Sequence, residues 1–439
     1  ISPERLTGNV ALISNGGANK EGISFWFRDW EVSGAKLRID EEQAFGPILS
    51  ALHTLSRDVM KMTAQLPPVG DMDSQTVSLQ TLEAGTQNWT TIAQENLVIP
   101  GWTVTFRVPD WDSTRDHPYR LVYPLKNSNG ESRDYSFTGV IRRDPVDEAE
   151  VAVAAFTGNS NTHGSFGQRF SFTSNRLWFP HQDIVDHVKS VDPDLLVFTG
   201  DQVYESRPTA PDRSGNFSSY LDYLYKWYLW CWSYADLARD LPSVCLPDDH
   251  DVYHGNIWGA GGRAARELPP NGEYPAHYKG FEGQWKQDGG GYLMPAEFAN
   301  MVQRTQTSHL PDPYDATPVE QGITVYYSEM NYGGISFAII EDRKFKSSPS
   351  VMVPEGKVVN GFPQNPKFDA RKADVPGAIL LGERQLEFLN NWVEDWRGTW
   401  MKVALSQTIF AAVSSYPEDF LTDAKTPELE PAEPGVIPE

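Results

Sequence analysis

The sequence predicts an α/β chain in two parts, with an antiparallel β-sandwich carrying a helical insertion over residues 1–145 and an α/β domain over 146–439. Three observations predict it. Before residue 145, alternating apolar and polar runs are bounded by Asn, Gly, Pro and Asp. From Val151 the pattern changes to short apolar runs alternating with helical ones. Two of those runs end in carboxylates: Leu195-Leu196-Val197-Phe198 leads into Gly200-Asp201, and Leu241 to Leu246 leads into Asp248-Asp249-His250-Asp251.

Composition bounds the function. With 439 residues, 40% apolar and 12% aromatic, the chain can bury a large core and is neither disordered nor fibrous. Its 59 acidic against 37 basic residues give a formal charge of −22, which excludes a nucleic-acid backbone as the natural partner. An acidic surface fits a secreted or periplasmic protein and tolerates divalent cations. Cys231 and Cys245 are too few for a disulfide framework or a Cys-rich zinc site. Each lies in an apolar or aromatic run where a buried free thiol is ordinary, although one bridge between them stays open. No stretch approaches the ~20 apolar residues of a membrane span. The Ile1-Ser2-Pro3 start carries no leader, as in a mature chain whose leader has been removed.

Taken in order, strands are predicted at Gly22–Arg28, Thr103–Val108, Tyr119–Tyr123 and Tyr135–Val140, and the insertion at Glu41–Met62, where Phe45, Ile48, Leu49, Leu52 and Leu55 recur at helical spacing. Arg142 to Glu148 is charged and broken by Pro145, which places the boundary. Val151–Phe156 reads as a buried strand running into Asn159, Asn161 and His163, and Trp178–Ser190 as the helix returning to the Leu195 strand. Ser218–Asp240 holds eight Tyr and Trp residues, read as the core face of a long helix rather than a stacking platform. Residues 260–322 are rich in Gly and Pro and suggest a lid or substrate wall. A hairpin pairs Ile323–Tyr327 with Ile335–Ile340 over Asn331 to Gly334. A helix from Leu381 turns Leu386, Leu389, Trp392, Val393 and Trp396 inward, and a buried strand follows at Met401–Val413.

Like charges so close repel, and each resists ionising unless a cation or an opposing base compensates. Either acidic segment alone reads equally well as helix caps and turns. Two such strand ends in one chain point instead to a metallohydrolase centre, with Asp201, Asp249 and His250 as its first candidates.

Gly200-Asp201-Gln202-Val203-Tyr204-Glu205 followed by Asp248-Asp249-His250-Asp251 resembles the PhoD-like branch of the calcineurin-like metallophosphatases, with its Gly-Asp-x-x-Tyr-Glu and Asp-Asp-His-Glu/Asp patterns. Leu381-Gly382 with Gln385 is again similar. The resemblance implies a layered α/β/β/α metallophosphatase domain that hydrolyses phosphate mono- or diesters as small substrates. It implies metal ligation by Asp201, Tyr204 and Asp249, with Asn159 and Asn161 in reach. His250 would protonate the leaving group, and Asp251 would hold the imidazole charged. Arg343, in a segment similar to the family's Asp-x-Arg motif with Glu341 for the Asp, would bind phosphate as a catalytic residue. His163 and His309 would touch substrate, the latter from Ser308-His309-Leu310-Pro311, similar to the family's Glu-His-Met-Pro.

Departures qualify this. Gly158 stands where the family has an iron-binding Cys, and Asn161 where ordinary metallophosphatases have Asp. Ca²⁺ is therefore the first metal expected and Fe³⁺ the weaker one, with Zn²⁺ and Mn²⁺ open. The family's last ligands come from a downstream Gly-Asp/His-x-His motif, and none follows Val413. The competing expectation is a non-catalytic, Ca²⁺-stabilised binding or scaffold protein that keeps the fold.

Overall fold

The computed structural model describes residues 31–35, 37, 45–126, 129–161, 179–269, 271–280 and 282–408. The first strands are β1 (Ser50–Ser56), β2 (Val59–Gln65), β3 (Thr76–Leu82), β4 (Trp89–Asn96), β5 (Thr103–Val108), β6 (His117–Lys126) and β7 (Ser132–Ile141). They make two antiparallel sheets, ordered β1-β2-β5 and β4-β3-β6-β7. Three of the expected strands fall inside β5, β6 and β7, whereas Gly22–Arg28 lies outside the described residues.

The helical insertion is corrected. Most of that stretch is the β1–β2 hairpin, turning at Arg57-Asp58 with both residues at positive φ, 49° and 58°. Residues Ser50 to Leu55 of β1 are all buried, because a long helix covers the strand. A strand hidden on both faces loses its two-residue alternation, and its apolar positions then match helical spacing by coincidence.

The second group of strands is β8 (Val153–Phe156), β9 (Leu195–Phe198) and β10 (Ser243–Cys245), parallel and ordered β10-β9-β8. Central β9 is wholly buried. β8, expected buried, is the edge strand and is half exposed. Helix α1 (Gln182–Val191) connects β8 to β9, and α2 (Phe217–Ala238) connects β9 to β10. Asn216 caps α2 by accepting the Ser218 amide. The aromatic run is core, as its spacing predicts: Trp227 and Trp230 stack at 4.5 Å, and Trp227 Nε1 donates to Gln65 Oε1 at 3.0 Å, tying α2 to β2. Leu52, Phe106, Trp227 and Val197 belong to one continuous apolar cluster. Both cysteines are free and buried.

Between 260 and 322 the chain forms helices. It holds α3 (Glu282–Asp288) and α4 (Ala296–Thr307), and α4 buries Phe298, Met301 and Val302. The hairpin that follows is shifted: β11 (Ser328–Tyr332) pairs with β12 (Ile335–Ile339) around Gly333-Gly334, while 323–327 stays outside the sheet. Beyond α5 (Asp342–Phe345) and α6 (Pro349–Met352) comes the small hairpin β13 (Val358–Val359) and β14 (Phe362–Pro363). Helix α7 (Glu383–Glu394) leads to β15 (Met401–Leu405), which joins β12 in parallel. The inner face of α7 is Gln385 and Phe388, with Leu389 and Trp392 half-buried, whereas Leu386, Val393 and the following Trp396 are exposed. Leu389 and Trp392 thus pack inward as expected, while Gln385 and Phe388 take the buried places expected of Leu386 and Val393. No described helix is long and apolar enough to cross a membrane.

Candidate metal centre

Because β9 and β10 are parallel neighbours in register, Val197 against Val244 and Phe198 against Cys245, both chains leave the sheet at the same edge. The two acidic segments therefore emerge side by side. Gly200 has φ +115°, and a Cβ there would lie 2.4 Å from Asp248 Cβ, so only glycine lets the loops close on each other. Asp201 follows with φ 55°.

One buried carboxylate joins the loops. Asp251 Oδ2 accepts the amides of Asp201 at 2.9 Å and Asp248 at 2.8 Å, while Oδ1 accepts the Val203 amide and Gln306 Nε2 of α4, each at 2.9 Å. Burial, then the Asp201 charge, pushes the Asp251 pKa up to about 7 against the pull of these donors. The sequence reading of Asp251 as the residue that holds the imidazole of His250 is therefore corrected. Four donors already occupy it.

The result is a cluster in which ligand oxygens of Asp201, Asp248 and Asp249 lie within 4.8 Å of one another. Burial and the neighbouring Asp249 raise the Asp201 pKa to about 6, and the same two causes push Asp248 well above the carboxylate range. Asp201 Oδ1 is buried without a hydrogen-bond partner. An orphaned buried oxygen within a set of hard oxygen donors fits a divalent cation. Arg343 approaches from the start of α5, its Nε 2.5 Å from Asp248 Oδ1 and its Nη2 3.9 Å from Asp249 Oδ1. The amides of Gly259 and Gly261 donate to the Arg343 and Lys344 carbonyls and hold that segment in place.

His250 sits on the same loop. Its Nδ1 is 2.7 Å from Glu205 Oε2, and its ring lies 4.8 Å from that of Tyr204. Burial alone would lower its pKa; the hydrogen bond and charge of Glu205, with Asp201 and Asp249, outweigh it and raise the value to about 9. Tyr204 packs against the site, its hydroxyl pKa pushed up by burial and then by the Asp201 charge. A Cβ on Gly158 would lie 2.9 Å from the Tyr204 hydroxyl, so the tyrosine fills the space a side chain at 158 would need.

The remaining expected residues fall elsewhere. The Asn159 amide donates to the Asp201 carbonyl at 2.8 Å, but its side-chain Oδ1 accepts from Tyr234 at 3.2 Å. Asn161 Oδ1 lies 3.3 Å from His181 Nε2. The amide oxygens a cation would need from these two residues are thus engaged. His309 is fully buried with Nε2 2.9 Å from the Ser243 carbonyl, at the end of β10 away from Asp248, which removes it from substrate contact. His163 lies outside the described residues. The sequence alone does not assign Asp248 as a ligand or Glu205 as the partner of His250. Both stand inside the quoted motifs, but only the turn of each loop decides which carboxylate faces which group.

The family model of the PhoD-like phosphatases matches residues 170–428, more than half of the chain. The chain belongs to the PhoD-like phosphatase family. No curated protein matches it. As a PhoD-like phosphatase it carries the features of a hydrolase family whose members depend on metal, and its acidic cluster supplies oxygens for an ion.

Proposed function

We propose that this PhoD-like phosphatase hydrolyses phosphate mono- or diesters of small molecules, with a divalent cation held by Asp201, Asp248 and Asp249 and with Tyr204 as a further ligand. The observation that carries the reading is the three-carboxylate cluster with His250 and Arg343 beside it at one sheet edge. An all-oxygen donor set favours Ca²⁺ over Fe³⁺. When bound, the cation supplies positive charge for the phosphoryl oxygens and acidity for an attacking water.

The chain's own residues supply the rest. With a pKa of about 9, His250 is an imidazolium at neutral pH and has a proton to give the departing oxygen. Arg343 offsets the charge of Asp248 and offers its remaining N–H groups to a phosphoryl oxygen. We read the two N-terminal sheets as a β-sandwich domain ending near residue 145, and the sheets β10-β9-β8 and β11-β12-β15 as the middle of an α/β/β/α domain. The acidic composition supports a secreted or periplasmic setting.

The test is metal analysis of the purified protein together with turnover of p-nitrophenyl phosphate and its bis-ester before and after chelation. Turnover that vanishes on chelation and returns with Ca²⁺ supports the reading. Metal-loaded protein that turns over neither ester retires it in favour of a binding role.

A further inference from the structure

Glu205 is a buried acid with no place in the metal cluster, yet both of its oxygens are engaged. Oε2 meets Nδ1 of His250 at 2.7 Å, and Oε1 meets Nη2 of the half-exposed Arg213 at 2.6 Å. The side chain of Glu205 is 5% exposed, that of His250 31%. The acid therefore holds the imidazole at Nδ1, on a ring that stays about one-third exposed. The ring face packs against Tyr204. Asp251, the carboxylate next to His250 in sequence, is saturated by three main-chain amides and Gln306.

We propose that Glu205, anchored by Arg213, is the positioning residue for proton donation by His250. The inference rests on the phosphatase reading above. With Nδ1–H committed to Glu205, the proton available for transfer is the one on Nε2. As the ester P–O bond breaks, its electron pair stays on the leaving oxygen, which takes the Nε2 proton. Water forms the new P–O bond and releases its proton to solvent. The imidazole is left neutral, with Nδ1–H still on Glu205. Arg213 keeps the carboxylate from turning away.

Glu205→Gln, which preserves volume, and Glu205→Asp test this with two esters. A p-nitrophenolate leaving group scarcely needs an acid, whereas ethoxide does. In Glu205→Gln, kcat on ethyl phosphate is expected to fall about 100-fold and kcat on p-nitrophenyl phosphate less than about threefold, with KM and metal content unchanged. Glu205→Asp should recover part of the loss. A separate readout needs no turnover. The low-field imidazole N–H proton resonance of the wild-type protein, assigned by its loss in His250→Gln, should vanish in Glu205→Gln. Equal losses on both esters, or a resonance that persists in Glu205→Gln, would overturn the assignment of Glu205 alone. Wild-type protein inactive on both esters would retire the phosphatase reading and this inference with it.

Discussion

The carboxylate of Asp251 accepts the main-chain amide of Asp201 at 2.9 Å, linking two residues that the sequence separates by a whole helix. The same oxygen holds the amide of Asp248, so a residue outside the cluster sets the spacing of the carboxylates within it.

Asp251→Asn keeps the volume but replaces one acceptor oxygen with a donor facing N–H groups. Affinity for Ca²⁺ should fall about 10- to 100-fold, and stability by roughly 2 kcal/mol. Calorimetric titration of the variant with Ca²⁺ checks the first and denaturant unfolding the second. Unchanged affinity would mean that the loops hold their positions without it.

Removing metal should destabilise the protein, because only the folded chain gathers Asp201, Asp248 and Asp249. At Ca²⁺ about 100-fold above Kd, the gain is about 2.7 kcal/mol. Thermal melts in chelator and in Ca²⁺ measure it, and Asp201→Asn should reduce the difference sharply. Coincident melts for the wild-type protein would argue against a cation site.

Gly200→Ala should be severe for a change of one methyl. The new Cβ would meet Asp248 Cβ at 2.4 Å on a backbone with φ +115°. The backbone alone costs roughly 1–3 kcal/mol, and relieving the contact moves Asp248 out of the cluster. Loss of both stability and Ca²⁺ binding is expected. A variant that binds Ca²⁺ like the wild type would show that the loops separate freely.

His53 and His309 predict acid sensitivity. Both are fully buried, and burial lowers each pKa from 6.5 to about 3, in His309 against a main-chain hydrogen bond to Ser243 that raises it. Folded values below the unfolded one mean that their contribution is complete above pH 6.5. It is lost as pH falls toward 3, where only the unfolded chain takes up protons. Each imidazole then removes up to about 1.4 kcal/mol per pH unit. Between pH 7.5 and 4.5 the wild type should lose urea stability relative to His309→Gln as pH falls, since Asp201, Asp251 and His250, raised in the fold, act in the opposite sense in both proteins; a difference that does not change with pH would exclude His309 as a contributor.

Much of the site was legible because strand ends are. An apolar run ending in Gly200-Asp201 and another ending in Asp248-Asp249 needed only parallel, adjacent strands to meet, and β9 and β10 are that pair. The order of residues within each loop said less. Asp249, His250 and Asp251 are consecutive, yet they belong to the metal cluster, to Glu205 and to the buried amides respectively, because a 3-10 turn at His250–Val252 fans them apart. Elsewhere, a doubly buried β1 imitated a helix, α4 was hidden in a Gly- and Pro-rich region, and the face of α7 was misphased where Leu386 and Val393 are exposed.

What the sequence determined by itself was the chemistry at hand: an acidic chain, strands that deliver carboxylates to a sheet edge, and motifs similar to those of one phosphatase family. Only the tertiary structure decided which carboxylates gather and which serve them. A side chain's partners depend on loop turns and on elements distant in sequence, such as Gln306 on α4 and Arg343 on α5. Local pattern records how strongly a group must be compensated, whereas packing alone records by what.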